Sequence, residues 1–160
     1  MSKDPLRAQL GRLLDWHDAH VSLQQAVDGL APALRGTRPA GLPYSVWQLL
    51  EHIRRAQYDI LDFCRNSDYK GMKWPDDYWP SAPEPPSEKA WTDSLAAIQR
   101  DRKELQKLAA DSKVDLFATI PHGDGQTYVR ELLLVVDHNA YHVGQIVLVR
   151  RLLGAWPDAS

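Results

Sequence analysis

Along four stretches of the chain, apolar residues recur every three or four positions, and the segments between them are rich in proline and glycine. That period marks a helix with one buried face. The first stretch runs from about Pro5 to Leu34, with Leu10, Leu13, Leu14, Val21, Leu30 and Leu34 on its stripe and Trp16 and Val27 beside them. The second follows Ser45, an N-cap with Gln48 three residues on, as a capping box requires. Val46, Leu49, Leu50, Ile53, Ala56, Ile60 and Phe63 carry it to about Asn66. Ser87 opens the third, where Glu88 is well placed for the helix dipole. Trp91, Leu95, Ile98, Leu105 and Leu108 form its stripe. Thr127 caps the fourth, which runs to Leu153; Gly154 ends it and Pro157 prevents its continuation.

The connectors complete the picture. "RGTRPAGLP" (35–43) is a turn region. Residues 67–86 hold five prolines and cannot be helical, yet they are too aromatic for a plain linker. Residues 111–126 form another connector, with room for a short extended pair. Four helices without a strand set predict an all-α four-helix bundle in one domain, 1–160. A 20-residue connector between the second and third helices is long for antiparallel neighbours. It predicts a crossover along the bundle that leaves those two helices parallel.

Composition narrows the function. A net charge of −2 supplies no field to attract nucleic acid, and Arg54-Arg55 and Arg150-Arg151 read as solvated faces. No stretch approaches the roughly 20 apolar residues of a membrane span, and the N-terminus lacks a signal peptide's apolar core. The expectation is a cytoplasmic protein with no membrane partner. Cys64 is the only cysteine, which rules out an internal disulfide or a cysteine-rich zinc site and reads as a core residue. Six Trp and six Tyr against two Phe favour rings with a polar tip, suited to a pocket or to a homodimer formed through a helix face.

The chemistry-bearing residues are the histidines at 17, 20, 52, 122, 138 and 142. His138 and His142 lie four apart in the fourth helix, so their Cβ atoms stack roughly 6 Å apart on one face. Two imidazoles there can converge on an ion about 2.1 Å from each nitrogen. A catalytic metal needs a third protein ligand and an open position. His52 flanks the stripe of the second helix and is the best placed; His17 and His20, three apart, are a rival source. Each ring can instead be satisfied by its own hydrogen bond in the core. Glu51 and Asp137 are candidates to orient ring nitrogens, and Tyr141, Trp74, Tyr78 and Trp79 to shape a pocket. His122, beside Gly123, reads as solvated. "HNAYH" has Asn139 where an HExxH protease needs its glutamate. There is no GxGxxG, no P-loop, no GxSxG and no paired ExxH of a di-iron bundle.

Two segments, "SVWQLLEHIRRAQ" (45–57) and "LLVVDHNAYHVGQIVLVRRLLG" (133–154), resemble the helix-two and helix-four signatures of the DinB/YfiT-like superfamily of four-helix-bundle metalloenzymes. The resemblance implies that family's bundle with its crossover, and maps its three metal ligands onto His52, His138 and His142. It implies a divalent metal ion: zinc first, with nickel, manganese or iron as the other metals such proteins use. It further implies a transferase or isomerase acting on a small-molecule substrate with a low-molecular-weight thiol. The reading from another class is a non-catalytic metal-binding or stress-related bundle that serves in assembly.

Overall fold

A computed structural model describes residues 4–15 and 19–157. Among the described residues there are five α-helices, α1 (Pro5–Leu13), α2 (Leu23–Val27), α3 (Val46–Arg65), α4 (Glu88–Ala110) and α5 (Tyr128–Leu152), with a 3₁₀ turn at Pro32–Leu34. Among the described residues there is no strand, only an isolated antiparallel bridge between Thr119 and Thr127. The caps are chemical. Asp4, Ser45, Ser87 and Thr127 each accept a backbone N–H of the helix they open, and Gln48 answers Ser45 to complete a capping box.

The single first helix expected over 5–34 is not there. Its place is taken by α1, α2 and the 3₁₀ turn. Ser22 starts a new helix with a capping box of its own, closed by Gln25. Gly29, at φ 65, then turns the chain out of the helix. Trp16 and His17 lie outside the described residues.

Side-chain pairings give the directions of the long helices. Ser94 bonds Glu51, Gln57 bonds the Ile98 carbonyl, and Arg65 bonds Glu104, so α3 and α4 advance together. The connector between them travels the other way along α3. Tyr69 and Tyr78 reach Asp59, Asp77 meets Arg55, Pro80 meets Gln48, and Pro83 meets Ser45. α5 opposes α3, with Asn139 on Gln57 and Gln145 on Tyr44. α1 opposes α4, with Arg7 on the Ala109 carbonyl and Gln106 on that of Gly11.

Two apolar clusters fill the bundle. One gathers Val46, Trp47, Leu50, Ile53, Trp91, Ile146 and Val149; the other gathers Leu10, Ile60, Leu105, Ile120, Leu132 and Val135. Cys64 is buried in the second, and burial pushes its thiol up to about 12, far from reactivity.

Two expectations about charge and length need correction. Arg150 is buried, not solvated: its guanidinium donates to the carbonyls of Ala26, Asp28 and Ala155, tying α5 to the C-terminal end of α2 and to the segment that follows α5. α5 is also long and apolar enough to cross a membrane by length and composition. One side of it packs in the bundle, with Leu132, Val135, Val143, Ile146 and Val149 buried.

Candidate metal centre

The capping box at Ser45 fixes where α3 begins, and the period of that helix buries Leu49, Ile53 and Ala56. His52 falls on the same buried side, 3% exposed, and His142 of α5 is 7% exposed. His138, one turn before His142, is half-buried. The three rings meet: His52 and His138 have centroids 4.8 Å apart, His52 and His142 4.5 Å, and His138 and His142 4.5 Å. One ring nitrogen from each lies within 4.8 Å of the other two. This is the group of three among the described residues that has metal-ligand character.

Each ring is held by its other nitrogen. The Nδ1 of His52 is 3.1 Å from the Tyr78 carbonyl, which can only accept, so Nδ1 carries the hydrogen and Nε2 the lone pair. The Nδ1 of His142 is 2.7 Å from Gln145 Oε1, and the amide of Gln145 donates to the Tyr44 hydroxyl. His138 turns its Nδ1 toward Asn139 Oδ1 at 3.4 Å; Asn139 donates to Gln57, and Gln57 donates to the Ile98 carbonyl. Outward donation from Nδ1 is how metal-binding imidazoles are oriented.

This bonding tests whether a cation fits. His52 Nε2 and His138 Nε2 stand 3.0 Å apart. A hydrogen on His138 Nε2 would donate across this gap to His52 Nε2; with both hydrogens on the Nδ1 atoms instead, two lone pairs face each other there. A cation accepting both relieves that repulsion, and neutral imidazole is the required donor. Burial is the largest influence on the basicity of the three rings. It pushes His52 down to about 4, against the raising effect of the Tyr78 carbonyl and with help from the charges of His142 and His138. Burial, then the charge of His138, also brings His142 to about 4. Burial lowers His138, opposed by Asn139 and by the charge of Asp137. All three rings are therefore neutral at pH 7.

The aromatic connector walls the site. Trp79 stacks on His52 with centroids 3.9 Å apart and planes within 7°. Trp74 and Tyr78 present edges to the same ring at 6.4 and 6.5 Å. Tyr141 stands edge-on to His142 at 5.0 Å, and Trp74 and Tyr141 are both exposed. Asp59, buried, accepts from Tyr69 at 2.8 Å and Tyr78 at 2.6 Å, and so holds the connector against α3.

Two of the expected orienting groups are elsewhere. The Glu51 carboxylate is taken by Arg54 at 2.7 and 2.8 Å, Arg55 at 3.4 Å and Ser94 at 2.6 Å, on the α4 side. Burial pushes its pKa up, but those hydrogen bonds and charges outweigh burial and leave it below the ordinary value. Arg54 is thereby an ion-pair partner and not a solvated charge. Asp137 is exposed and reaches His138 through its charge. His20 is also exposed; its Nδ1 meets the Val21 carbonyl, and it borders a cavity of about 200 Å³ with Leu13, Ile53 and Val143 instead of joining the triad. His122 bonds the Phe63 carbonyl from an exposed position. The orienting side chains that sequence reasoning passed over are Gln145, Asn139, Gln57 and Tyr44. Of these, Gln145 carries a signal, since it lies three residues after His142 on one helix face.

A sequence model of one protein family, described as the DinB superfamily, matches residues 15–146. No curated protein and no solved structure matches the chain. The family match covers most of the chain, which belongs to the DinB superfamily.

Proposed function

We propose that this DinB superfamily protein holds a divalent metal ion, zinc foremost, on His52, His138 and His142 and uses it in enzymatic chemistry. The observation that carries the reading is the pair of Nε2 atoms at 3.0 Å, each on a ring whose Nδ1 is already engaged with an oxygen. A divalent ion held by the three neutral rings would have room for a further ligand and would lower the pKa of a water or thiol taken there, supplying a nucleophile. The chain's own residues do the rest. Trp79 covers one face of His52 and keeps water from it, while Trp74 and Tyr141 flank the approach for a small molecule. Transfer or isomerisation with a low-molecular-weight thiol is the reaction class that the family resemblance favours.

The test begins with elemental analysis of the full chain purified with zinc present. One metal ion per chain is expected, with loss of that metal in His142→Ala while the helical circular dichroism persists. A metal-free wild-type protein refutes the metal site. Cobalt substitution followed by addition of a small thiol such as glutathione reads the thiol. A sulfur-to-cobalt charge-transfer band is expected, and an unchanged spectrum refutes the thiol reading while leaving the metal site standing.

A further inference from the structure

α1 ends at Leu13 and α2 begins at Leu23, and at that level the bundle has a cavity. α1 packs chiefly on α4, where Leu10 and Leu14 enter one apolar cluster; α2 packs on α5, where Ala26 and Val27 enter the other. The cavity lies on the seam between the two clusters. Leu14 and Val135 of one line it, as do Ile53, Ile98 and Val143 of the other. Its volume is about 200 Å³. An apolar cavity of about 150 Å³ stays dry and takes a benzene ring.

The polar groups of this cavity divide into an inner pair and a mouth. Gln57 and Asn139, on the inner wall, are spent on each other, on the Ile98 carbonyl and beside His138. A trapped water needs two to four polar partners, and the rest of the inner wall offers it aliphatic surface. The mouth is different. Arg102, with 28% of its side chain exposed, and the exposed His20 stand there with Asp15. Arg102 donates to Asp15 through Nη1, while its Nε is buried and has no partner. A buried donor left unpaired is costly, so an acceptor placed beside it gains more than one placed in water. The Asp15 carboxylate already balances the guanidinium and repels a second anion. The missing partner is therefore an uncharged oxygen.

We propose that this cavity binds a small uncharged apolar molecule carrying one acceptor oxygen, with its body among Ile53, Ile98 and Val143 and its oxygen at Arg102 Nε. The proposal is independent of the metal site. Methyl NMR of the full chain, treated with a chelator, tests it with acetophenone as the probe. The methyls of Ile53, Ile98 and Val143 should shift, and those of the exposed Leu6 and Leu152 should not. Ethylbenzene, which lacks the oxygen, should bind about 10-fold more weakly, and benzoate should also bind more weakly than acetophenone. Arg102→Met should bring acetophenone to the level of ethylbenzene. Ala140→Leu extends a larger side chain into the cavity from α5 and should abolish binding of both with helical circular dichroism unchanged. The wild-type shifts locate the ligand even where a variant fails to fold. Absence of methyl shifts at saturating acetophenone overturns the proposal, as does binding that requires added zinc or survives in folded Ala140→Leu. Ethylbenzene bound as tightly as acetophenone, or benzoate bound more tightly, overturns the uncharged oxygen at Arg102 and the proposal with it.

Discussion

Acidifying the metal-free protein from pH 7 should cost it stability well before its carboxylates are protonated. His52 and His142 are held at about 4 in the folded state, chiefly by burial, against an ordinary value of 6.5. A folded-state pKa below the unfolded value means that the unfolded chain binds more protons between the two values, so stability falls as pH drops through that window. The contribution is fully present above about pH 6.5 and is lost by about pH 4. A difference of about 2.5 units is worth about 3 kcal/mol for one ring at 1.36 kcal/mol per unit. The two rings share a cause, each raising the cost of charging the cluster, so together they contribute less than twice that. His138 adds in the same direction. Against a total stability of about 5–15 kcal/mol this is a large fraction. The carboxylates of Glu51 and Glu104 have pKa values below 4.5, Glu104 at about 2, so their losses come at lower pH. Urea unfolding of chelator-treated protein at pH 7, 6, 5 and 4.5 should show the midpoint falling steadily. The double variant His52→Asn/His142→Gln should fall much less over that range, keeping only the contribution of His138. A wild-type midpoint that does not move between pH 6.5 and 4.5, or one that falls equally in the double variant, would refute the assignment to these rings.

Two further outcomes follow from the same geometry. Gln145→Leu removes the acceptor of the His142 Nδ1 hydrogen and should weaken zinc binding about 10- to 100-fold in competition with a chromophoric chelator, and an unchanged affinity would show that the amide does not orient the ring. Asp59→Ala deprives Tyr69 and Tyr78 of their shared acceptor; it should destabilise the fold by about 1–3 kcal/mol and speed amide exchange over 69–79, and an unmoved urea midpoint would count against the clamp.

Much of the fold was legible because its signals are local. The Ser45–Gln48 box, the caps at Ser87 and Thr127 and the five prolines of 67–86 each act within a few residues, and α3, α4 and α5 begin where those caps place them. The break in the first helix was equally local, and the apolar stripe masked it: Ser22 and Gln25 form the same kind of box, but Val21, Leu30 and Leu34 kept the period running across it. The histidine cluster was legible by a different route, since an i, i+4 pair on one helix needs only one ring from a neighbour to become a site. The orienting groups were harder to find. Glu51 looked available because it adjoins His52, but adjacent residues on a helix point about 100° apart. Arg54 and Arg55, three and four residues on, were the partners its position dictated. The acceptor for His52 is a backbone carbonyl of Tyr78, and no side-chain pattern announces a carbonyl.

That carbonyl joins the topology to the chemistry. α3 and α4 advance together, so the chain between them has to travel back along α3, and its return path crosses the helix at His52. Asp59 grips the connector through Tyr69 and Tyr78, and the backbone of Tyr78 then meets the His52 ring while Trp79 lies flat upon it. The other two rings are oriented by amides of α5 itself, Asn139 beside His138 and Gln145 one turn beyond His142. The site thus has two separable parts: a pair of rings set by one helix, and a third ring whose tautomer depends on the connector. A perturbation of the connector should act on His52 and leave the geometry of the pair intact, weakening a three-ligand site toward a two-ligand one without dissolving the bundle. The long aromatic, proline-rich segment is in this sense part of the binding site, and its length follows from the crossing it has to make.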